Sequence, residues 1–392
     1  MFVIKKAKRK MSSITKHPKV LHIFWNNAPH LTVPFSIVIA EMFPNHEFSL
    51  FENELDEAPF EKGNEKFREN ISGKYFGKLK CSFLHRIFQK SNIIKSIVDR
   101  FFLGFSIFTL LKLVLGPRYI VLHGRSSQRE FNLVSFFLLK LVLKKIYLIH
   151  WGGRPTIGRR IKFFDLITYK MFSHIFVLMA PELEYFKPMV GEKVSCLPYW
   201  HKNLNGYRVN IPEERNPRTI ILGNSTHNRE NYREVLDRLN PNDWDNIICM
   251  LNYGDERNAS ATDKFVAEYK NKFSNRFYAW RETLPYEEYL KVMSKTTFYI
   301  CINKTQSGLG AISNSICLGK TIILRGDNFK WMSSLGVKVY DYDEFPDLSF
   351  DRLKSLILCE EEAQKSLDNF NENAAMKYTK MYWKNTILSH LA

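Results

Sequence analysis

The chain has 392 residues, too many for one ordinary hydrophobic core, and its 45% apolar content is that of a globular protein. Its net charge of +17 is concentrated: residues 1–210 hold 33 Lys and Arg against 15 Asp and Glu, whereas residues 211–392 are near neutral. Cys81, Cys196, Cys249, Cys301, Cys317 and Cys359 contain no CxxC pair and have largely apolar neighbours, so they read as reduced, mostly buried thiols of a cytosolic protein and not as a metal site or disulfide frame.

Met1–Lys19 is basic and lacks the apolar core of a signal peptide. The first predicted strand is Val20–Trp25, followed by the turn-rich Asn26–His30, a helix from Thr32 and a strand at Glu47–Phe51. Asn53–Asn70 is acidic and loop-like. From Cys81 to Leu115, apolar Ile93, Ile97, Phe101, Phe105 and Phe108 recur at helical spacing among Lys and Arg, predicting a basic amphipathic helix. Strands are predicted at Tyr119–His123, Ile146–His150, Phe176–Met179 and Val194–Leu197, with a helix at Phe131–Lys144. Asp99, Arg100 and Lys112 interrupt one apolar stretch, Ser96–Leu115; Lys140, Lys144 and Lys145 interrupt the other, Phe131–His150. Neither offers the about 20 uncharged residues of a transmembrane helix.

His201–Arg218 is polar and marks where the charge excess ends. A second α/β series follows. Its strands are Thr219–Leu222, Asn246–Leu251, Phe277–Tyr278, Thr297–Ile302, Thr321–Leu324 and Val337–Tyr340. Its helices are Asn231–Leu239, Thr262–Phe273, Pro285–Ser294 and one after the glycine loop near 308, with Ser349–Leu358 and Glu361–Tyr382 closing the chain. The expected organisation is a Rossmann-like domain over 1–205, a linker over 206–218, a second Rossmann-like domain over 219–360 and C-terminal helices over 361–392. Ligands of such sheets bind beyond the carboxyl ends of the strands, so a cleft between the domains is expected.

The strongest local signal is Gln306-Ser307-Gly308-Leu309-Gly310, running on to Asn314, between a strand and a helix. Small residues there let the backbone approach a diphosphate at the helix N-terminus. Gly223-Asn224-Ser225 at a strand end is a second such loop. His22, His123 and His150 fall on predicted strands of the first domain and are the candidate bases for an acceptor hydroxyl; each equally suits a phosphate-binding or structural role. Arg125 and Arg154 follow two of these strands and suit an acceptor phosphate. Asp341-Tyr342-Asp343 imitates an Asp-x-Asp metal motif, but it follows the last predicted strand, and no His/Cys set has metal-ligand spacing.

Over residues 219–345 the chain resembles glycosyltransferase family 56, the 4-acetamido-4,6-dideoxygalactose (Fuc4NAc) transferases of enterobacterial common antigen synthesis. Gly223-Asn224-Ser225, Tyr253-Gly254, Gln306-Ser307-Gly308-Leu309-Gly310, and Asn328 with Trp331 match that family's elements in order and spacing. In the first half the match thins to His123-Gly124, Trp151-Gly152 and Pro29-His30. Arg154 stands where the family has Asp, and Thr226-His227 where it has Gly-Asp. The resemblance implies a GT-B fold of two Rossmann-like domains and a metal-independent hexosyltransferase needing no cofactor. It implies a dTDP-sugar donor held by Gly223, Asn224, Ser225, Tyr253, Gln306, Ser307, Gly308, Gly310, Asn314 and Asn328. The implied acceptor is a polyprenyl-diphosphate-linked saccharide of common-antigen or O-antigen type. The basic first domain would then lie peripherally on the anionic cytoplasmic face of a bacterial inner membrane, and nucleic acid is not an expected partner. The alternatives are another GT-B enzyme, such as a sugar-nucleotide epimerase, and a non-catalytic protein of anionic membranes.

Overall fold

The strands form where apolar residues run on without alternation, as parallel strands buried on both faces require. A computed structural model describes residues 20–26, 38–43 except 40, 46–52, 116–124, 140–151 except 141, 163–197, 199 and 209–391, the last with breaks at 210, 214, 224, 226–228, 253–258, 283 and 375. The predicted loop 53–70 and helix 81–115 lie outside the described residues, as does most of 131–144.

Two six-stranded parallel sheets follow one another. The first has the order β2-β1-β3-β4-β5-β6, from β1 (Val20–Asn26), β2 (Glu47–Glu52), β3 (Tyr119–His123), β4 (Lys145–His150), β5 (His174–Val177) and β6 (Val194–Cys196). The second has the order β12-β11-β10-β7-β8-β9, from β7 (Asn216–Leu222), β8 (Asn246–Met250), β9 (Phe277–Trp280), β10 (Thr296–Cys301), β11 (Thr321–Leu324) and β12 (Tyr340–Asp341). Each order reverses at one place: between β1 and β3 in the first sheet, and between β7 and β10 in the second. A crevice opens at such a switch point because the chain leaves its two strands toward opposite faces.

The strands sit within a few residues of their predicted places, but helices α1 (Phe163–Met171) and α2 (Leu183–Val190) are additions. Pro188 inside α2 disguises it in the sequence. The second domain carries α3 (Arg229–Asp237), α4 (Ala259–Phe273), α5 (Tyr286–Ser294), α6 (Leu309–Cys317), α7 (Gly326–Ser334) and α8 (Phe350–Leu353). Helix α7 was not predicted. It shortens the expected strand 337–340 to Tyr340–Asp341, because the Val337 N–H donates to the Met332 carbonyl at 3.1 Å and closes the helix.

The linker and the closing helices belong to the domains they touch. Arg215 donates to the Gly319 carbonyl at 2.9 Å, and Val209 is buried in the second core, so much of 206–218 is built into the second domain. The segment 361–392 divides. Helix α9 (Glu360–Ala374) packs Ala363, Leu367 and Phe370 into the second domain. Helix α10 (Met376–Leu391) returns to the first, where Trp383, Ile387 and Leu391 join Val20, Phe24, Tyr119 and Phe176 in one core. The Tyr147 hydroxyl donates to the His390 carbonyl at 2.6 Å, fixing the end of α10. Among the described residues no helix is long and apolar enough to cross a membrane.

Candidate active site

The second sheet's switch point is framed by the loops after β7 and β10. After β7, Gly223 has φ +64°, and an added Cβ would stand 2.0 Å from the Tyr232 ring. Glycine is needed here for packing: the Tyr232 hydroxyl accepts from the Ser225 N–H at 2.9 Å and donates to the Ser225 carbonyl at 2.8 Å, folding the loop over α3. Asn224 and Tyr253 lie outside the described residues.

After β10 the chain reaches Gly308, whose φ of +70° caps α6 in the left-handed conformation. Asn328 of α7 is fully buried and rivets this loop: its Nδ2 donates to the Ser307 carbonyl at 2.8 Å, and its Oδ1 accepts from the Ser307 N–H at 3.5 Å. Its amide thus shapes the loop rather than standing free for a ligand. The amide of Asn314 accepts from the Tyr286 hydroxyl at 3.0 Å, drawing α5 against α6. Two features of the loop are open. The Oε1 of Gln306 is buried with no hydrogen-bond partner among the described residues, and a Cβ at Gly310 would meet no atom within 4 Å. The first turn of α6 therefore presents free N–H groups beside an unfilled acceptor and a space.

In the first sheet the three predicted histidines are not gathered at one place. His22 lies in mid-strand on the face that packs α10, and its Nδ1 is 2.9 Å from Nε2 of His123, which ends β3 at the switch point. His46, which the sequence reading passed over, completes a row: its Nδ1 is 2.9 Å from His22 Nε2. Burial, and then the neighbouring His123 and His46, hold His22 well below the ordinary imidazole value; burial does the same to His123.

His150 points to the opposite face, against Phe186. Its Nδ1 is 3.7 Å from Oε1 of Glu182, whose other oxygen accepts from the Leu178 N–H at 3.2 Å. Glu182, also unforeseen, follows β5 in a short 3-10 turn whose proline is its only sequence signal. Next to that turn the domains meet: Met179 is buried in the second domain's core, and Tyr185 donates to Asp327 of α7 at 3.3 Å. Arg125 and Arg154 lie outside the described residues. The Asp-x-Asp imitation is occupied, since Asp343 accepts from Arg325 at 2.8 Å and Asp341 from the Asp343 N–H at 3.1 Å.

Two parallel Rossmann-like sheets in sequence, with a terminal helix crossing back to the first, match solved structures over nearly the whole chain. HepE of Anabaena in complex with UDP and glucose matches at a TM-score of 0.64 and 11% identity, covering 95% of this chain and 100% of that one. The chain has the GT-B fold. The same fold is matched in the lipopolysaccharide outer core galactosyltransferase WaaB, at a TM-score of 0.56 and 12% identity over 94% and 99% of the two chains. It is matched again in sucrose-phosphate synthase of Thermosynechococcus elongatus, at 0.61 and 9% over 95% and 98%. No protein-family model matches, and no curated protein is similar in sequence. In this GT-B frame the α6 loop lies at the second sheet's switch point and His123 at the first sheet's, with His150 one strand away at the end of β4.

Proposed function

We propose that the chain is a glycosyltransferase that moves an amino-deoxysugar of the Fuc4NAc type from a dTDP-sugar to a polyprenyl-diphosphate-linked saccharide. The carrying observation is the loop after β10. Gly308 turns it, Asn328 rivets it, and Gly310 leaves space where the first-turn N–H groups of α6 are unspent. Those N–H groups suit the two phosphates of a nucleotide, and the helix end stabilises the charge that grows on the diphosphate as it leaves. On this reading no metal or other cofactor takes part. The Gln306 oxygen accepts from a donor hydroxyl. The fold's occurrence in a protein solved with UDP and glucose supports a sugar-nucleotide donor.

The acceptor belongs to the first domain. His123 and His150 end adjacent strands, and the acceptor's diphosphate calls for cations of the kind that Arg125 and Arg154 supply. The excess of basic residues over 1–210 fits a peripheral place on an anionic inner-membrane face.

Thermal shift and calorimetry with dTDP, UDP and GDP, without added metal, test the donor. Preference for dTDP is the expected result. Preference for UDP or GDP keeps a transferase and removes the deoxysugar, and binding of none of the three overturns the proposal.

A further inference from the structure

Helix α10 is apolar on two sides. Trp383, Ile387 and Leu391 recur at helical spacing and fill the first core. Met381 and Leu388 share the opposite side, with Lys384 between them. Met381 is 59% exposed, Leu388 40% and the neighbouring Tyr382 50%. A helix whose only task was to close the core would carry polar residues on this outer side. No Asp or Glu occurs from Met376 to Leu391.

The end of α10 lies at the amino end of the first sheet, where the His390 ring packs at 4.1 Å on that of His174, the first residue of β5. There the turn into β4 carries a second exposed apolar group. Leu143 is 86% exposed and Val142 43%. Leu143 has φ +56°, and its N–H donates to the Lys140 carbonyl at 3.0 Å, so it takes the left-handed place after a helical turn where glycine or asparagine is usual. Leucine there is costly twice, in a strained backbone and in an apolar side chain left in water. Cations surround it. Arg118 and Lys145 both stand over the Tyr119 ring, at 5.4 Å each, and Tyr119 belongs to the core under α10. The turns entering β3, β4 and β6 carry Arg118, Lys144 and Lys193 against Glu192. Lys140 donates to Ser173 Oγ at 3.1 Å, and burial and then the nearby Lys193 lower its ammonium from the ordinary value.

We infer that the turn carrying Val142 and Leu143 and the outer side of α10 form one surface that docks on an anionic lipid bilayer. The inference rests on the peripheral membrane place proposed above and names the part of the molecule that makes the contact. Leu143, Met381 and Leu388 enter the boundary between headgroups and acyl chains, while the ammonium groups of the neighbouring lysines stay level with the lipid phosphates. A bilayer fits this surface better than a second copy of the chain, because a symmetric contact would set its cations against themselves. Helix α10 lies along one face of the first sheet, so docking through its outer side lays that face on the bilayer. The crevice at the carboxyl ends of β1 and β3 then opens along the membrane, where a lipid-borne diphosphate reaches it without leaving the surface.

The test is vesicle flotation of the full chain without sugar nucleotide, using phosphatidylglycerol mixed with phosphatidylethanolamine, and phosphatidylcholine alone as the neutral control. The wild-type chain is expected to float with the anionic vesicles, to stay behind with the neutral ones, and to be released as salt rises. Leu143→Asn suits the left-handed backbone, so its melting temperature is expected to hold or rise while vesicle affinity falls about tenfold. Met381→Gln combined with Leu388→Gln keeps the helix and is expected to lower affinity about fivefold. Undiminished binding by either variant overturns the single surface and leaves the membrane place to another part of the chain. Failure of the wild-type chain to bind anionic vesicles overturns the surface and the membrane place together, while the nucleotide measurements still judge the transferase. A wild-type dimer in sedimentation equilibrium that either variant turns into a monomer assigns the surface to a second copy and likewise overturns the inference.

Discussion

The two sheets share a topology class and differ in what they bury beneath their switch points. The first places hydrogen-bonded imidazoles there, and ten of the chain's eleven histidines lie in residues 1–205 or on the returning α10. The second places amides, hydroxyls and glycines there, and its buried amine, Lys320, sits at the opposite end, before β11, donating to the carbonyls of Met293 and Thr296. Under the proposed transferase reading, the first set suits taking an acceptor's proton and the second suits holding a donor's diphosphate. A reaction that deprotonates one partner and expels a diphosphate from the other needs both kinds of surface.

The comparison predicts separable behaviour of the two halves. Trp383→Ala, removing a fully buried ring from the first core, is expected to cost about 4 kcal/mol there and leave the second domain's calorimetric transition in place. A shift of both transitions would show that the halves unfold as one unit. Gly223→Ala is expected to cost about 3 kcal/mol in the second domain, from the positive φ and the collision with Tyr232. Acid separates them next. His174 is pushed down to about 4, by burial first and then by His390 beside it, and His22 and His123 are also held low. Each binds a proton more readily in the unfolded chain. The stability they contribute is therefore full above about pH 6.5 and falls as pH drops, for His174 until about 4. The first transition should fall between pH 7 and 5 while the second holds, and His174→Phe should flatten that slope. The smallest effect on stability, and the sharpest on function, is expected from Gly310→Val. A Cβ there meets nothing in the protein, so the melting temperature should hold while nucleotide affinity drops about tenfold, near 1.4 kcal/mol. Unchanged affinity would move the diphosphate away from α6.

Much of the fold was legible because buried parallel strands are uninterrupted apolar runs; Tyr119–His123 and Thr321–Leu324 have the predicted ends. Helix α2 was hidden by its internal proline, and α7 by the glycine and the polar residues with which it starts. At the site, sequence marks residue types at strand ends but not faces. His123 and His150 therefore looked equivalent although they point to opposite sides of one sheet. His46 and Glu182 were missed because nothing local distinguishes them; only the pairing of β1 with β2, and the turn after β5, brings them to their partners. Asn328, expected at the donor, holds the loop instead, its buried amide bonded to Ser307. Gly308→Val, an obvious test from sequence, would strain a left-handed residue, which is why Gly310 is the better position.

The return of α10 to the first domain fixes an order of events during synthesis. Trp383, Ile387 and Leu391 are part of the core around Val20, Phe24 and Tyr119, so that core is incomplete until the ribosome has passed residue 391. The second domain's strands, helices and α9 have all been made by then. The half translated first thus finishes folding last, and its unfilled apolar face must be kept from aggregating while the rest of the chain emerges.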